Sequence, residues 1–373
     1  MHEGARTELG PLSRFLDVAG EARLGFGGWA VGGAGWGAPD DAGEREAAIR
    51  LAAERGVTFF DTAPTYGGGE SERLLGRALK AQRERIAIAT KVGPTDEPRA
   101  SLEASLRRLD TDYVDLVQLH ETLGAWEEQL EKLVALQREG KARAIGLCNA
   151  THLQLARARR LAPLATFQAA YNMFDRDVEE RALPLCRDRG LAFLAYRPLA
   201  AGLLSGRYRE PPEFRGDDHR RGLYWFKGKE FERRRRVIDR LRPIAEREGI
   251  ALVALALGWL RAQPGVSVVL AGARNRSQAA ETFAPNTQPL PPDVVQAIDA
   301  VVRDVFHPAR GSARGREAAA AWGERERFIV ERLDGTTRYE TIAALWTDRG
   351  EQPMISAQIK VFVDQLADAG LVI

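Results

Sequence analysis

Three residues with acid–base side chains follow successive apolar stretches of the chain. Asp61 comes after Val57-Thr-Phe-Phe, Lys91 ends the next apolar stretch and His120 ends the one after it. Tyr66 lies a short distance beyond Asp61. A phenol is a poor acid at neutral pH unless a nearby ammonium stabilises its anion, and a carboxylate can hold that ammonium charged and in place. Together these four side chains would form a proton-transfer site.

Each of these residues also has an ordinary structural interpretation. Asp61 could cap a helix or a turn, Lys91 could be a charge at the rim of a domain, and His120 could be a hydrogen-bonded histidine at a strand end. Their position after three successive apolar stretches favours a function for the group.

The elements that must position these residues are strands alternating with helices, from about residue 22 to residue 275. Short strands that are apolar on both faces indicate a parallel sheet covered by helices. Eight such units favour a closed (β/α)8 TIM barrel of the α/β class over an open doubly wound sheet. Strand ends also carry Asn149, Tyr171-Asn172 and Tyr196, and a barrel gathers its site at the carboxyl ends of its strands. The predicted strands contain Arg23-Leu-Gly-Phe, Val57-Thr-Phe-Phe, Ile86-Ala-Ile-Ala, Val114-Asp-Leu-Val-Gln-Leu, Ala144-Ile-Gly-Leu, Phe167-Gln-Ala-Ala, Leu191-Ala-Phe-Leu-Ala and Val266-Ser-Val-Val-Leu. The predicted helices cover residues 44–54, 70–82, 101–109, 126–139, 153–160 and 177–189.

The segment 210–231 interrupts this alternation between the seventh and eighth strands. Long loops in compact domains usually form lids or binding loops, so we expect Tyr224 or Trp225 to close the substrate pocket. The run Arg233-Arg-Arg-Arg236 could suggest a nucleic-acid patch. Apolar residues follow it at helical spacing, which favours the solvated face of a helix instead.

A glycine pattern near the first strand resembles a dinucleotide-binding motif only loosely. Gly25-Phe-Gly27-Gly-Trp-Ala30 fits the pattern, but the glycines that continue to Gly37 disfavour the helix that should follow. We expect a loop that lines the substrate pocket, with Trp29 and Trp36 in its wall.

Ordered motifs along the chain match one enzyme family. They are Gly27-Gly-Trp29-Ala-Val-Gly-Gly33, Phe60-Asp-Thr-Ala-Pro-Thr-Tyr66-Gly, Ala89-Thr-Lys91, Asp115-Leu-Val-Gln-Leu-His120, Gly146-Leu-Cys-Asn149, Phe167-Gln168-Ala-Ala-Tyr171-Asn172, Ala195-Tyr196-Arg-Pro198-Leu199-Ala-Ala-Gly202-Leu-Leu-Ser-Gly206 and Ala271-Gly272-Ala-Arg274. Over roughly residues 20–305 the sequence resembles the aldo-keto reductase family. The resemblance implies that Tyr66 is the proton donor, that Lys91 and Asp61 tune it, and that His120 orients the carbonyl or shares the proton transfer.

The resemblance also implies a bound nicotinamide cofactor. Its carboxamide would pair with Asn149 and Gln168 and its ring would stack on Tyr196. The segment from Pro198, with backbone amides of Leu199, Gly202 and Leu203, would hold the pyrophosphate, and Arg207 could add charge. The sequence from Gly272, with Arg274 and Arg276 beside a helix start, would hold a 2′-phosphate and so favours NADP(H) over NAD(H). Gln278 and Glu281 would contact the adenosine.

Three positions depart from the family pattern. Cys148 and Arg197 stand where serine is common, and Thr282 stands where asparagine is common near the adenine. These changes affect details of cofactor binding and leave the acid–base set in place. Cys148 is interpreted as an isosteric replacement rather than a redox-active thiol.

Composition excludes several classes of protein. The 54 Lys and Arg nearly balance 52 Asp and Glu, so the overall charge gives no general attraction to nucleic acid or to an anionic membrane. No apolar stretch has the length of a membrane span, and the amino terminus lacks the pattern of a signal peptide. Only Cys148 and Cys186 are present, which disfavours a disulfide framework and favours the cytoplasm.

The carboxyl-terminal part of the chain forms a separate predicted unit. We expect the barrel to cover residues 1–308, a linker to cover 309–315, and a small helical module to cover 316–373. The module weakly resembles winged-helix units. It could be a packing or oligomerisation appendage or could bind a protein or peptide partner; DNA binding is disfavoured because Lys360 is offset by Asp364 and Asp368.

The sequence thus predicts an NADP(H)-dependent oxidoreductase that interconverts a small-molecule carbonyl compound and an alcohol, with no metal ion. The alternative is a binding protein that senses NADP(H) and contacts a partner through residues 316–373. The complete set of acid–base residues favours catalysis.

Overall fold

Eight parallel strands close into a barrel in the computed structural model, which describes residues 10–16, 22–37, 41–284 and 287–306. Each strand pairs with its neighbours in chain order, and the first pairs with the last to complete the ring. The predicted (β/α)8 barrel is confirmed. The strands are β1 (Arg23–Gly27), β2 (Phe59–Asp61), β3 (Ala87–Val92), β4 (Val114–Leu119), β5 (Ala142–Cys148), β6 (Leu164–Ala170), β7 (Ala192–Tyr196) and β8 (Val266–Ala271).

Helices connect the strands, and two of them lie between β7 and β8. The helices are α1 (Ala42–Glu54), α2 (Glu70–Leu79), α3 (Pro98–Leu109), α4 (Trp126–Arg138), α5 (His152–Leu161), α6 (Ala182–Arg189), α7 (Gly228–Arg247), α8 (Leu252–Arg261), α9 (Arg276–Thr282) and α10 (Pro292–Phe306). Short 3₁₀ helices cover Gly10–Arg14, Ala30–Gly32, Lys80–Arg85, Asp177–Glu179, Ala200–Ser205, His219–Gly222 and Tyr224–Phe226. Within the described ranges, no helix has the length and hydropathy required to cross a membrane.

Local sequence signals fix several helix ends. Thr151 and Gln154 form a capping box at the start of α5, since each side chain accepts a hydrogen bond from the backbone N–H of the other. Gly190 ends α6 with a φ of 71°, a left-handed conformation that glycine adopts without steric cost.

The barrel interior is filled by apolar side chains at alternating strand positions. Small and large residues pack together there, including Ala89 of β3, Leu116 of β4 and Leu270 of β8. Leu12 and Phe15, from the segment at Gly10–Arg14 and just after it, pack into the same cluster. Since helices cover the outer face as well, β3, β4 and β8 are buried along their whole length. The strand ends are therefore anchored on a rigid frame.

Two predicted elements differ from the structure. The helix expected over 177–189 begins only at Ala182, because Glu179 lies in a separate 3₁₀ turn where its carboxylate accepts hydrogen bonds from the Tyr171 hydroxyl and Arg176 Nε. The run 233–236 does lie on a helix, but the expectation that it forms a solvated face is wrong at Arg234. That side chain is buried, and its guanidinium lies over the rings of aromatic residues, 5.2 Å from the Tyr224 centroid.

The contacts of the chain divide it between Val295 and Gln296, so the barrel unit is described as far as Val295. The predicted linker at 309–315 and the predicted module at 316–373, with its winged-helix resemblance, lie outside the described residues.

Candidate active site

Asp61 and Lys91 form a buried ion pair at the carboxyl ends of β2 and β3. Lys91 Nζ lies 2.6 Å from Asp61 Oδ2 and donates a second hydrogen bond to the Thr62 carbonyl oxygen at 2.8 Å. The other carboxylate oxygen, Oδ1, accepts from Gln168 Nε2 at 2.9 Å and from Gln118 Nε2 at 3.3 Å. Burial lowers the pKa of Lys91, but Asp61 and Tyr66 raise it by more, so the ammonium stays charged.

Tyr66 lies on the loop between β2 and α2, with its ring beside the Lys91 ammonium. Lys91 Nζ is 5.0 Å from the centroid of the Tyr66 ring. Burial raises the pKa of the Tyr66 phenol to about 12, although the positive charge of Lys91 opposes this shift. Tyr66 is therefore protonated at neutral pH.

His120 directly follows β4, and its backbone N–H donates to the Val92 carbonyl oxygen at 2.9 Å. Its ring stands edge-on to Tyr66, with 6.1 Å between the ring centroids. Burial and the positive charge of Lys91 lower the pKa of His120 to about 3, so the imidazole is neutral. The structure thus brings Asp61, Tyr66, Lys91 and His120 together.

A cavity of about 520 Å³ runs past this cluster, a size within the range of cofactor and ligand sites. Lys91 is buried and does not line this cavity. Most of the other predicted residues do, namely Asp61, Tyr66, His120, Asn149, Gln168, Tyr196, Pro198, Leu199, Gly202, Gly272, Arg274, Gln278, Glu281, Trp29 and Trp36.

The wall of the cavity next to the acid–base cluster is formed by Asn149, Gln168 and Tyr196. The Tyr196 hydroxyl donates to Asn149 Oδ1 at 2.9 Å. Asn149 Nδ2 donates to the His120 carbonyl oxygen and to Glu121 Oε1. These contacts fix the plane of the Asn149 amide beside the aromatic ring of Tyr196.

Farther along the cavity the backbone bends sharply after β7. Ala200, Ala201 and Gly202 all have positive φ values, so the chain turns tightly against the cavity. Arg207 forms an ion pair with Glu281 on α9. The predicted Leu203 is buried and does not line the cavity.

The segment after β8 also lines the cavity. Arg274 N donates to Gln278 Oε1 at 3.0 Å, and Arg274 Nη1 donates to the Trp36 carbonyl oxygen at 2.9 Å. The predicted Arg276 lies at the start of α9, is exposed and does not line the cavity. A cavity lined by two amides, a flat ring and several arginines fits a dinucleotide with phosphate groups.

Aromatic rings close the end of the cavity near Tyr66. The Trp29 ring lies 6.3 Å from Tyr66 and 5.2 Å from Trp36, and His219 of the 210–231 segment packs against both tryptophans at 4.3 and 4.5 Å, centroid to centroid. Burial lowers the pKa of His219. Trp29 and Trp36 thus line the cavity beside Tyr66.

The structure does not bring Tyr224 and Trp225 to the cavity. Trp225 is buried and Tyr224 is 44% exposed, and both pack near the guanidinium of Arg234. Arg220 of this segment lines the cavity instead, together with Tyr208, which precedes the segment.

Sequence reasoning missed several residues of the site. Gln118 could have been found, because it stands two positions before His120 in a strand and so faces the same side. Glu121 directly follows His120 and could have been added for the same wall. No sequence signal marks Tyr208, His219 or Arg220, whose positions depend on the fold of a long loop.

Comparisons with known proteins point to one family. The model of the aldo/keto reductase family matches residues 23–303. The chain is 38% identical over 274 residues to the aldo-keto reductase YhdN of Bacillus subtilis (strain 168), an alignment that covers 69% of this chain and 82% of that protein.

Solved structures also match this chain. A glycerol dehydrogenase from Gluconobacter oxydans matches with a TM-score of 0.69 and 32% identity, over 79% of this chain and 94% of that one. An aldo/keto reductase from Klebsiella pneumoniae, in complex with NADP and acetate, matches with a TM-score of 0.60 and 27% identity, over 77% of this chain and 92% of that one.

Proposed function

The chain belongs to the aldo/keto reductase family and is an NADP(H)-dependent oxidoreductase of carbonyl compounds, and we propose that Tyr66 is the proton donor of its reaction. The observation that carries this assignment is the contact between the Tyr66 ring and the Lys91 ammonium, 5.0 Å from Nζ to the ring centroid, at the wall of the cavity. Asp61 and His120 complete the set.

In this proposal, the protonated phenol of Tyr66 gives its proton to the carbonyl oxygen as negative charge develops there. The phenolate that remains is stabilised by the ammonium of Lys91. Asp61 holds that ammonium in place through the 2.6 Å contact. A pKa of about 12 for Tyr66 keeps it in the donor form at neutral pH.

His120 has a different part in the reaction. Because its imidazole is neutral, it can donate an N–H hydrogen bond to the carbonyl oxygen without placing a second positive charge beside Lys91. It therefore orients the carbonyl toward the Tyr66 hydroxyl.

The hydride that the carbonyl carbon receives would come from a reduced nicotinamide held in this cavity. Asn149 and Gln168 would hold its carboxamide and Tyr196 its ring, while the bend at Pro198 to Gly202 would hold the pyrophosphate. Gln278 and Glu281 would hold the adenosine. Arg274 supports NADP(H) over NAD(H), as do the Klebsiella pneumoniae structures, whose complexes contain NADP and NADPH.

We also infer that the protein works in the reducing environment of the cytoplasm. Support comes from Cys148 and Cys186, which are both buried free thiols. A protein or peptide partner of residues 316–373 remains a prediction.

Steady-state oxidation of NADPH by the purified full chain, with a panel of aldehydes and ketones, tests the function. We expect turnover with several carbonyl compounds, formation of the alcohol, and slower turnover with NADH. Tight NADPH binding without turnover of any carbonyl compound would favour the cofactor-sensing alternative instead.

A further inference from the structure

We propose that Arg197 binds an anionic group of the substrate, a carboxylate or a phosphate, so that this reductase prefers acidic aldehydes or ketones to neutral ones. The inference rests on the proposed function and adds the substrate class to it.

Arg197 is placed at the cavity by its backbone conformation. It directly follows Tyr196, the last residue of β7, and both residues line the cavity. Successive residues of a regular strand point to opposite faces. Arg197 has a φ of 55°, a left-handed value that is uncommon for a residue with a side chain, and this breaks the alternation so that both side chains can face the same space.

The arginines that line the cavity differ in their partners. Arg207 pairs with Glu281, Arg220 pairs with Asp218, and Arg274 donates to the Trp36 carbonyl oxygen. Within the described part of the chain, the Arg197 guanidinium has no ion pair and no hydrogen bond, and its Nε is buried without a partner. Buried donors in proteins are normally hydrogen-bonded, so the Nε–H marks a place for a ligand acceptor.

The carboxylates that line the cavity are held by other residues. Asp61 binds Lys91, Glu121 accepts from Asn149 Nδ2 at 3.0 Å, and Glu281 pairs with Arg207. None of them neutralises Arg197. A ligand anion would therefore meet an uncompensated positive charge there.

The Arg197 guanidinium packs on aromatic rings, and one of its electrostatic neighbours is His219, which lies near Tyr66. Its guanidinium carbon lies 5.5 Å from the centroid of the Tyr196 ring and 5.8 Å from that of Trp225, which holds the group on aromatic faces. Burial is the main cause that lowers the pKa of His219, and the charges of Arg220 and Arg197 lower it further. Arg197 therefore lies near the residue that packs on Trp29 at the Tyr66 end.

The planar fork of a guanidinium suits the paired oxygens of a carboxylate or a phosphate. A carbonyl substrate that carries such a group can place it on Arg197 while Tyr66 and His120 take its carbonyl oxygen. The anion then selects and orients the substrate.

The test compares kcat/KM for aldehydes of increasing chain length, each with a terminal carboxylate or the matching carboxamide, using NADPH. A second comparison, of kcat/KM for glycolaldehyde phosphate and for glycolaldehyde, tests a phosphate group. The variants are Arg197→Gln, which removes the charge, Arg197→Lys, which keeps it, and Arg215→Gln, a matched change at an exposed arginine outside the cavity lining. NADPH affinity is measured for each by fluorescence titration.

We expect the wild type to prefer the anionic member of at least one pair. Arg197→Gln should lower the anion-to-neutral ratio of kcat/KM by about 10- to 100-fold, the loss expected for a charge-assisted hydrogen bond. Arg197→Lys should keep part of the preference, and Arg215→Gln all of it. The comparison in which the ratio changes, carboxylate against carboxamide or phosphate against no phosphate, identifies the group that Arg197 binds.

Two results would overturn the proposal. One is a wild type that turns over neutral and anionic aldehydes equally well, which leaves the proposed function standing. The other is a weakened NADPH affinity in Arg197→Gln with an unchanged anion-to-neutral ratio, which would assign Arg197 to the cofactor. Absence of NADPH oxidation with every aldehyde would remove the proposed function as well.

Discussion

The ion pair of Lys91 and Asp61 joins stability and catalysis at two residues. Their side chains are only 1% and 5% exposed, so each charge depends on the other for the solvation that water would supply. Gln118 and Gln168 complete the hydrogen bonds of the carboxylate. The pair is expected to be costly to break at either end.

Lys91→Met should therefore lower the free energy of unfolding by about 3–5 kcal/mol, because it leaves the Asp61 carboxylate buried without a counter-charge. Urea unfolding measures this loss. The matched control is Lys80→Met, whose pair with Asp110 is 70% and 65% exposed and should contribute at most about 1 kcal/mol. Equal losses in the two variants would show that burial does not set the strength of the Lys91 pair.

The charge states of His120 and Tyr66 predict the pH profile of carbonyl reduction. With pKa values of about 3 and about 12, His120 is neutral and Tyr66 is protonated throughout the neutral range. We expect kcat/KM for the aldehyde to be flat between about pH 5.5 and about pH 9, since neither group titrates there. A titration near about pH 6.5 that disappears in His120→Gln would mean that the imidazole ionises with its ordinary pKa.

At the scale of the elements, the site depends on how α2 and α3 are held against the barrel. Gly76 of α2 lies against the backbone of Leu109 at the end of α3, where an added Cβ would be 2.6 Å from the carbonyl oxygen. The loop that carries Tyr66 leads directly into α2. Close packing of these helices therefore helps to place the phenol.

Gly76→Ala should destabilise the protein by about 1–3 kcal/mol, the usual cost of overpacking, although alanine is the better helix former in an open position. Gly222→Ala is the control, because no atom lies within 4 Å of its added Cβ and its φ is not positive. Thermal unfolding of both variants checks the prediction. A stabilised Gly76→Ala variant would show that α2 and α3 can move apart at low cost.

The order and type of the elements were predictable because the strands β2 to β8 are buried along most or all of their length and read as short, mainly apolar runs. Asp61, Lys91 and His120 were predictable for the same reason, as polar residues that end such runs. Tyr224 and Trp225 were not, because the course of the 210–231 segment is set by contacts with distant residues. His219 N and Nδ1 both contact the Gly35 carbonyl oxygen, and Asp217 accepts from Gly35 N. No local pattern encodes such contacts.

At the scale of the whole molecule, the residues proposed for catalysis and cofactor binding all lie between Asp61 and Glu281. The family match also ends at residue 303, before the predicted linker at 309–315. A chain that ends at Gly315 should therefore keep the kcat for NADPH-dependent reduction of a small aldehyde. A lower kcat in this shortened chain, with an unfolding transition that circular dichroism shows to be unchanged, would mean that residues 316–373 contribute to the site.

The central claim is that Tyr66 protonates the substrate oxygen in an NADPH-dependent reduction. Its most direct test is Tyr66→Phe, measured by single-turnover NADPH oxidation with an aldehyde and by fluorescence titration of NADPH binding. We predict a loss of reduction by a factor of about 100 or more, as expected for removal of a general acid, with an unchanged Kd for NADPH. Wild-type rates in the Tyr66→Phe variant, or a parallel loss of NADPH binding, would contradict the claim.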